Sequence, residues 1–194
     1  MAKITSICVY CGSNSGSPIY QRLAEELGRI MAENGVGLVF GGGTIGLMGI
    51  LARQVKAHGG IVTGVIPEHL NRVEVAFEAA DRLHVVPDMH FRKRKMFELA
   101  DAFLVLPGGL GTLDETIEML TWAQLGLHSK PIVILNYEAY WDPLLALFDH
   151  VIEEGFAGPA SRDLYIEVSS IEEILPAMNN WPAIKKRSEP PPDA

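Results

Sequence analysis

The sequence is short of cysteine, of positive charge and of long apolar runs, and each shortage removes a class of function. Its two cysteines, Cys8 and Cys11 in "CVYC", are too few for a disulfide framework. A redox CxxC opens a helix, whereas Cys8 lies inside the strand pattern "ITSICVYCG". Residues three apart on a strand face opposite sides, so the two thiols should diverge. Zinc would need two further ligands at suitable spacing, and the chain offers no second pair. The pair therefore reads as a small buried residue and a turn residue, and no metal is expected. Acids outnumber bases by 24 to 16, for a formal charge of -8. Nucleic acid or an anionic membrane would need clustered positive charge, so neither is an expected partner. No apolar stretch nears the ~20 residues of a membrane span. The start "MAKITSICVY" runs straight into a strand pattern rather than signal-peptide architecture, and a cytoplasmic location is the expectation.

What the chain has is one rhythm. Runs such as "ITSICVYC", "GLVFGG", "IVTGVIP", "RLHVVP", "AFLVLPGG" and "PIVILN" read as buried strands, with a short last one in "DLYIEV". Helical patterns separate most of them, and "EHLNRVEVAFEAA" reads as partly loop. Near-continuous Val/Ile/Leu strands alternating with helices imply a parallel sheet covered on both faces. The expected fold is α/β, a Rossmann-like doubly wound parallel sheet. Residues 1–182 form one domain by this reading, and the charged, proline-rich 183–194 is a disordered tail.

In such a fold ligands bind beyond the carboxyl ends of the strands. Three of these ends carry glycine turns: "CGSNSGSP" with Gly12 and Ser13, "GGGTIGLMG" with Gly42 and Gly43, and "PGGLGTLDE" with Gly108, Gly109, Gly111 and Thr112. Each offers backbone N–H groups and a helix N-terminus to an anion, and three on one rim suit a nucleotide-sized ligand. A competing reading exists. Gly41, Gly43 and Gly46 spell GxGxxG, with Glu68 about 20 residues on, which is a dinucleotide fingerprint on paper. It follows the second strand, however, and leaves the acids closing the fifth-strand loop unexplained. Before that loop, "DMHFRKRKMFELAD" crowds four bases together. Met96, Leu99 and Ala100 mark its apolar face, and Arg92 lies one turn before Met96, aimed inward. Arg94 and Lys95 fall on other faces.

The stretch "MHFRKRKMFELADAFLVLPGGLGTLDE" resembles the Lonely Guy family, the cytokinin riboside 5′-monophosphate phosphoribohydrolases once labelled lysine decarboxylases. The hallmark M-H-x-R-K and P-G-G-x-G-T-x-x-E elements are complete at 89–93 and 107–115. The likeness extends through "TWAQLGLHSKP" and back to "CVYCGS". It implies hydrolysis of the N-glycosidic bond of adenosine 5′-monophosphate or an N6-substituted analogue, without a cofactor. By the same resemblance Arg92 and Glu115 are catalytic, the glycine-rim residues and Thr112 hold substrate, and Lys93 and Thr121 join them. Carboxylates then belong in a phosphate loop because the substrate changes charge along its length: phosphate first, then a ribose that becomes cationic. Asp114, turned about 100° from Glu115, reads as a first-turn dipole acid. The lysines Lys56, Lys130, Lys185 and Lys186 have no setting for a Schiff base. A molybdenum-cofactor carrier is the non-catalytic alternative. The breadth of apolar residues in "TIEMLTWAQLGLH", with the family's dimers, implies a homodimer through that helix.

Overall fold

The computed structural model describes residues 3–71 and 76–181. Seven strands form one sheet: β1 (Ser6–Tyr10), β2 (Gly37–Phe40), β3 (Val62–Pro67), β4 (Arg82–Val86), β5 (Ala102–Val105), β6 (Ile132–Leu135) and β7 (Ile166–Val168). All pairs are parallel, in the order β4-β3-β2-β1-β5-β6-β7. The order reverses at β1, so the crevice between the β1 and β5 ends is the topological switch point. The fold is Rossmann-like and doubly wound, as the alternation of apolar strands and helices implies.

The α-helices among the described residues are α1 (Pro18–Glu33), α2 (Gly46–Ala57), α3 (Glu68–Asn71), α4 (Met89–Leu99), α5 (Leu110–Gln124), α6 (Asp142–Glu153) and α7 (Ile174–Asn179). Their apolar faces sort into two cores because strand side chains alternate. Ile7 and Val9 join Leu23, Leu27, Leu51 and Ile174 from α1, α2 and α7 on one face. Cys8 and Tyr10 join Met96, Met119 and Leu144 from α4, α5 and α6 on the other. Each such side chain contributes roughly 1.5–3 kcal/mol on leaving water. The two cysteines are accordingly free and point to opposite faces. Burial first, and then the charge of Glu115, pushes both thiols far up, so they stay protonated.

The "EHLNRVEVAFEAA" connection opens as α3 and returns at Ala76, which pairs with Gly43; residues 72–75 between them lie outside the described residues. The tail at 183–194 also lies outside them. Helix α5 starts inside the glycine loop, with Gly109 at its N-cap. It stops at Gly126, whose φ of 72° is a left-handed position that suits glycine.

Candidate active site

Two sets of contacts meet on the carboxyl rim of the sheet. The first stitches the glycine turns together. Gly12 N–H donates to the Pro107 carbonyl at 3.1 Å, and the Gly12 carbonyl accepts from Leu47 N–H at 3.0 Å. The turns after β1, β2 and β5 therefore share one hub. Gly108 sits so close to Thr112 that any Cβ there would strike the Thr112 hydroxyl. Around this hub lies a cavity of about 260 Å³ lined by Gly12, Ser13, Asn14, Gly108, Gly109 and two tyrosines, Tyr20 and Tyr140. Gly111 faces outward on the first turn of α5. Gly42 and Gly43 tie this rim to the segment that follows α3: the Gly42 carbonyl accepts from Phe77 N–H at 2.8 Å, and Gly43 pairs with Ala76.

The same stitching disposes of the dinucleotide fingerprint. Gly46, at φ 62°, lies directly against the Ser13 carbonyl, and the Leu47 N–H is taken by Gly12. The β1 turn thus packs against the start of α2 and takes one of the N–H groups that a pyrophosphate would use there.

The second set surrounds Arg92. Asp88 caps α4 by accepting from His90 N–H at 2.8 Å and Phe91 N–H at 3.0 Å, which turns the next residue inward. Arg92 is only 8% exposed. Its Nε donates to the Val65 carbonyl at 3.2 Å and its Nη2 to the Gly41 carbonyl at 3.4 Å, while Nη1 lies 3.6 Å from Glu115 Oε1. The guanidinium thus spans the ends of β2 and β3 and faces the acid on α5. Gly41 is required here, because a Cβ on it would occupy the position of Arg92 Nη2. The sequence gives no local sign of this role.

Glu115 is equally buried. Burial pushes its carboxyl up to about 7, against the pull of Arg92, with Asp114 and Glu118 adding to the rise and Lys93 opposing it. A carboxyl poised near neutrality beside a fixed cation is a recurrent feature of functional sites. It stands roughly 9 Å along the helix axis from Gly109. Anion-binding backbone and acid therefore occupy different parts of one helix.

Two residues assigned to substrate stand elsewhere. Lys93 Nζ lies 3.0 Å from Glu118 and 3.2 Å from Asp114, so it bridges α4 to α5 rather than reaching the glycine loop. Asp114 is consequently an ion-pair partner as well as an early-turn acid. Thr121 lies about 120° around α5 from Glu115 by helical arithmetic. Its hydroxyl donates to the Ile117 carbonyl at 2.7 Å, and it lines a separate apolar groove of about 290 Å³ with Leu147 and Phe148 of α6.

The family model described as "possible lysine decarboxylase" matches residues 48–178. The cytokinin riboside 5′-monophosphate phosphoribohydrolase LOG1 of Arabidopsis thaliana is 42% identical over 93% of this chain and 85% of its own. The phosphoribohydrolase of that name from Rhodococcoides fascians is 46% identical over 90% of this chain and 89% of its own. The chain belongs to the Lonely Guy family. A solved molybdenum cofactor binding protein from Rippkaea orientalis aligns with a TM-score of 0.69 at 24% identity, covering 92% of this chain and 97% of that one. At that identity it speaks for the shared fold alone. The older family description finds no chemical support among the described lysines considered for it. Lys56 pairs with Asp81 at 2.6 Å, and Lys130 donates to the Phe97 and Ala100 carbonyls at 2.6 and 2.8 Å.

Proposed function

We propose that this chain hydrolyses the N-glycosidic bond of adenosine 5′-monophosphate or its N6-substituted analogues, releasing the base and ribose 5-phosphate. The observation that carries the reading is the buried Arg92–Glu115 pair, 3.6 Å apart, beside the glycine hub. The 5′-phosphate sits at the first turn of α5, where Gly108, Gly109, Gly111 and Thr112 present backbone N–H groups and the positive end of the helix. That places the ribose toward Glu115. As the bond to the base stretches, its electron pair leaves with the base nitrogen and the ribose becomes oxocarbenium-like. The Glu115 carboxylate stabilises that cation and takes a proton from the water that adds to it. That proton passes on to the departing base, which leaves Glu115 ionised for the next turnover. Arg92 hydrogen-bonds the ribose or phosphate, and its charge favours the ionised carboxylate. A carrier would have no use for an acid held at this depth against an arginine.

The deciding experiment mixes the purified chain with adenosine 5′-monophosphate, N6-isopentenyl adenosine 5′-monophosphate and plain adenosine, and measures the free base. Both monophosphates should be cleaved and adenosine should not, because the remote phosphate supplies the energy that positions the ribose. Glu115→Gln should cut turnover by about 10²–10⁴-fold while nucleotide still binds. Equal turnover of adenosine and its monophosphate would overturn the loop assignment.

The working unit by this reading is a homodimer in the cytoplasm. Helix α5 leaves Ile117 exposed, Leu125 and Leu127 follow it, and α6 adds Leu147 beside the apolar groove. A second copy covering that face would remove a patch that monomers rarely expose. A sedimentation mass of one chain at micromolar concentration would refute this.

A further inference from the structure

The turn after β6 is held in an unfavourable shape. Glu138 and Ala139 have φ of 54° and 57°, and they are the only non-glycine residues at positive φ among those described. Each such residue costs roughly 1–2 kcal/mol. Strain of this kind persists only where the surroundings over-determine it. Here Asn136 supplies the restraint: it accepts from Trp141 N–H at 2.8 Å and donates to Asp142 at 2.8 Å and Glu167 at 2.7 Å. The buried Trp141 ring anchors the far side.

What this turn delivers is Tyr140. Its hydroxyl donates to the Gly108 carbonyl at 2.7 Å, and its ring meets Tyr20 edge-on, with centroids 5.4 Å apart. Tyr140 is 36% exposed, so burial alone does not force this bond. Gly108 is hemmed in at its Cα by Thr112 and by Gly12 N, whereas Gly109 has open space around it. The freedom left in the loop is therefore rotation of the peptide unit joining the two glycines, which no Cβ opposes.

We propose that Tyr140 is a positioning residue for the anion-binding loop, holding the Gly108–Gly109 peptide in one of its two orientations. In a planar trans peptide the C=O and N–H point in opposite directions. Fixing the Gly108 oxygen on Tyr140 therefore fixes the Gly109 N–H on the opposite side of that peptide, at the N-cap of α5, where the free N–H groups of the helix begin. Flipped, the same peptide would turn a carbonyl oxygen toward the anion and repel it. The proposal rests on the reading that this loop takes the 5′-phosphate.

The test is Tyr140→Phe, which keeps the ring against Tyr20 and removes the donor. Ribose 5-phosphate binding, measured by calorimetry, should weaken about three- to tenfold, the range for one hydrogen bond. KM for adenosine 5′-monophosphate should rise by the same factor with kcat little changed. A merely structural role would instead reduce the active fraction, lowering kcat and leaving KM and Kd alone, and that result overturns the proposal. Tyr140→Leu, of different shape but equally without a donor, should reproduce the affinity loss if Tyr140→Phe is too unstable to measure. Failure of the functional reading is separately visible as wild-type chain that cleaves no monophosphate. Unchanged ribose 5-phosphate affinity in both variants rejects the positioning role whatever the wild type cleaves.

Discussion

Replacing Glu115 by Gln should make the protein more stable while removing its activity, and the gain should depend on pH. The carboxyl ionises at 4.5 unperturbed and near 7 in the fold, where burial is the main cause and Arg92 recovers only part of the loss. Its value is raised on folding, so the native state binds the proton more tightly. The associated stability is present in full below pH 4.5 and is lost as the pH climbs to about 7. Proton linkage between those two values makes ionisation cost the native state about 1 kcal/mol at pH 5 and about 3 kcal/mol at pH 8. Gln keeps the shape of the protonated acid and cannot ionise, so it escapes that cost. At roughly 2–4 °C per kcal/mol for a chain of this size, Glu115→Gln should melt about 6–12 °C higher at pH 8 and only a few degrees higher at pH 5. Thermal unfolding followed by circular dichroism at the two pH values measures the difference. A variant that melts at or below the wild type at pH 8 would refute the reasoning. It would show that Arg92 gains more from the carboxylate than the buried charge loses.

Gly41→Ala should displace the Arg92 guanidinium, since the new methyl meets Nη2, with Cζ at 3.0 Å and Met48 Sδ at 3.2 Å from it. Its turnover should fall to within about tenfold of Arg92→Ala, on the scale of one lost transition-state contact; wild-type turnover would mean that the arginine's seat on β2 is dispensable. The rate of the wild-type chain should rise through pH about 7 as Glu115 ionises. Lys93→Met removes a charge that lowers the Glu115 value, so it should move that limb to higher pH with KM nearly unchanged. A large rise in KM with an unmoved limb would put Lys93 on the phosphate after all.

Features that repeat along the chain were legible in it. Near-continuous apolar runs mark β1, β2, β3, β5 and β6 because both faces of the sheet are covered there. The edge strands β4 and β7, which carry charged residues, keep exposed positions and are not the buried strands their runs suggest. The spacing of Cys8 and Cys11 places them on opposite faces, and the four-residue step from Arg92 to Met96 turns the arginine inward. Contacts between distant elements leave no such mark. Lys93 meets carboxylates that lie 21 and 25 positions away, and whether a lysine near a glycine loop faces an anion or an acid depends on how two helices pack. Gly41 looks like any turn glycine, although its missing Cβ is the space that admits Arg92. Tyr140 is further still from its partner, 32 positions beyond Gly108. The GxGxxG match shows the converse error. Its spacing is right, yet whether a helix N-terminus is open to phosphate depends on what else packs there, and here the Gly12 carbonyl already holds the Leu47 N–H. A glycine pattern reports that a chain can turn tightly; only the neighbours of the turn decide whether a ligand or another backbone segment receives the free N–H groups.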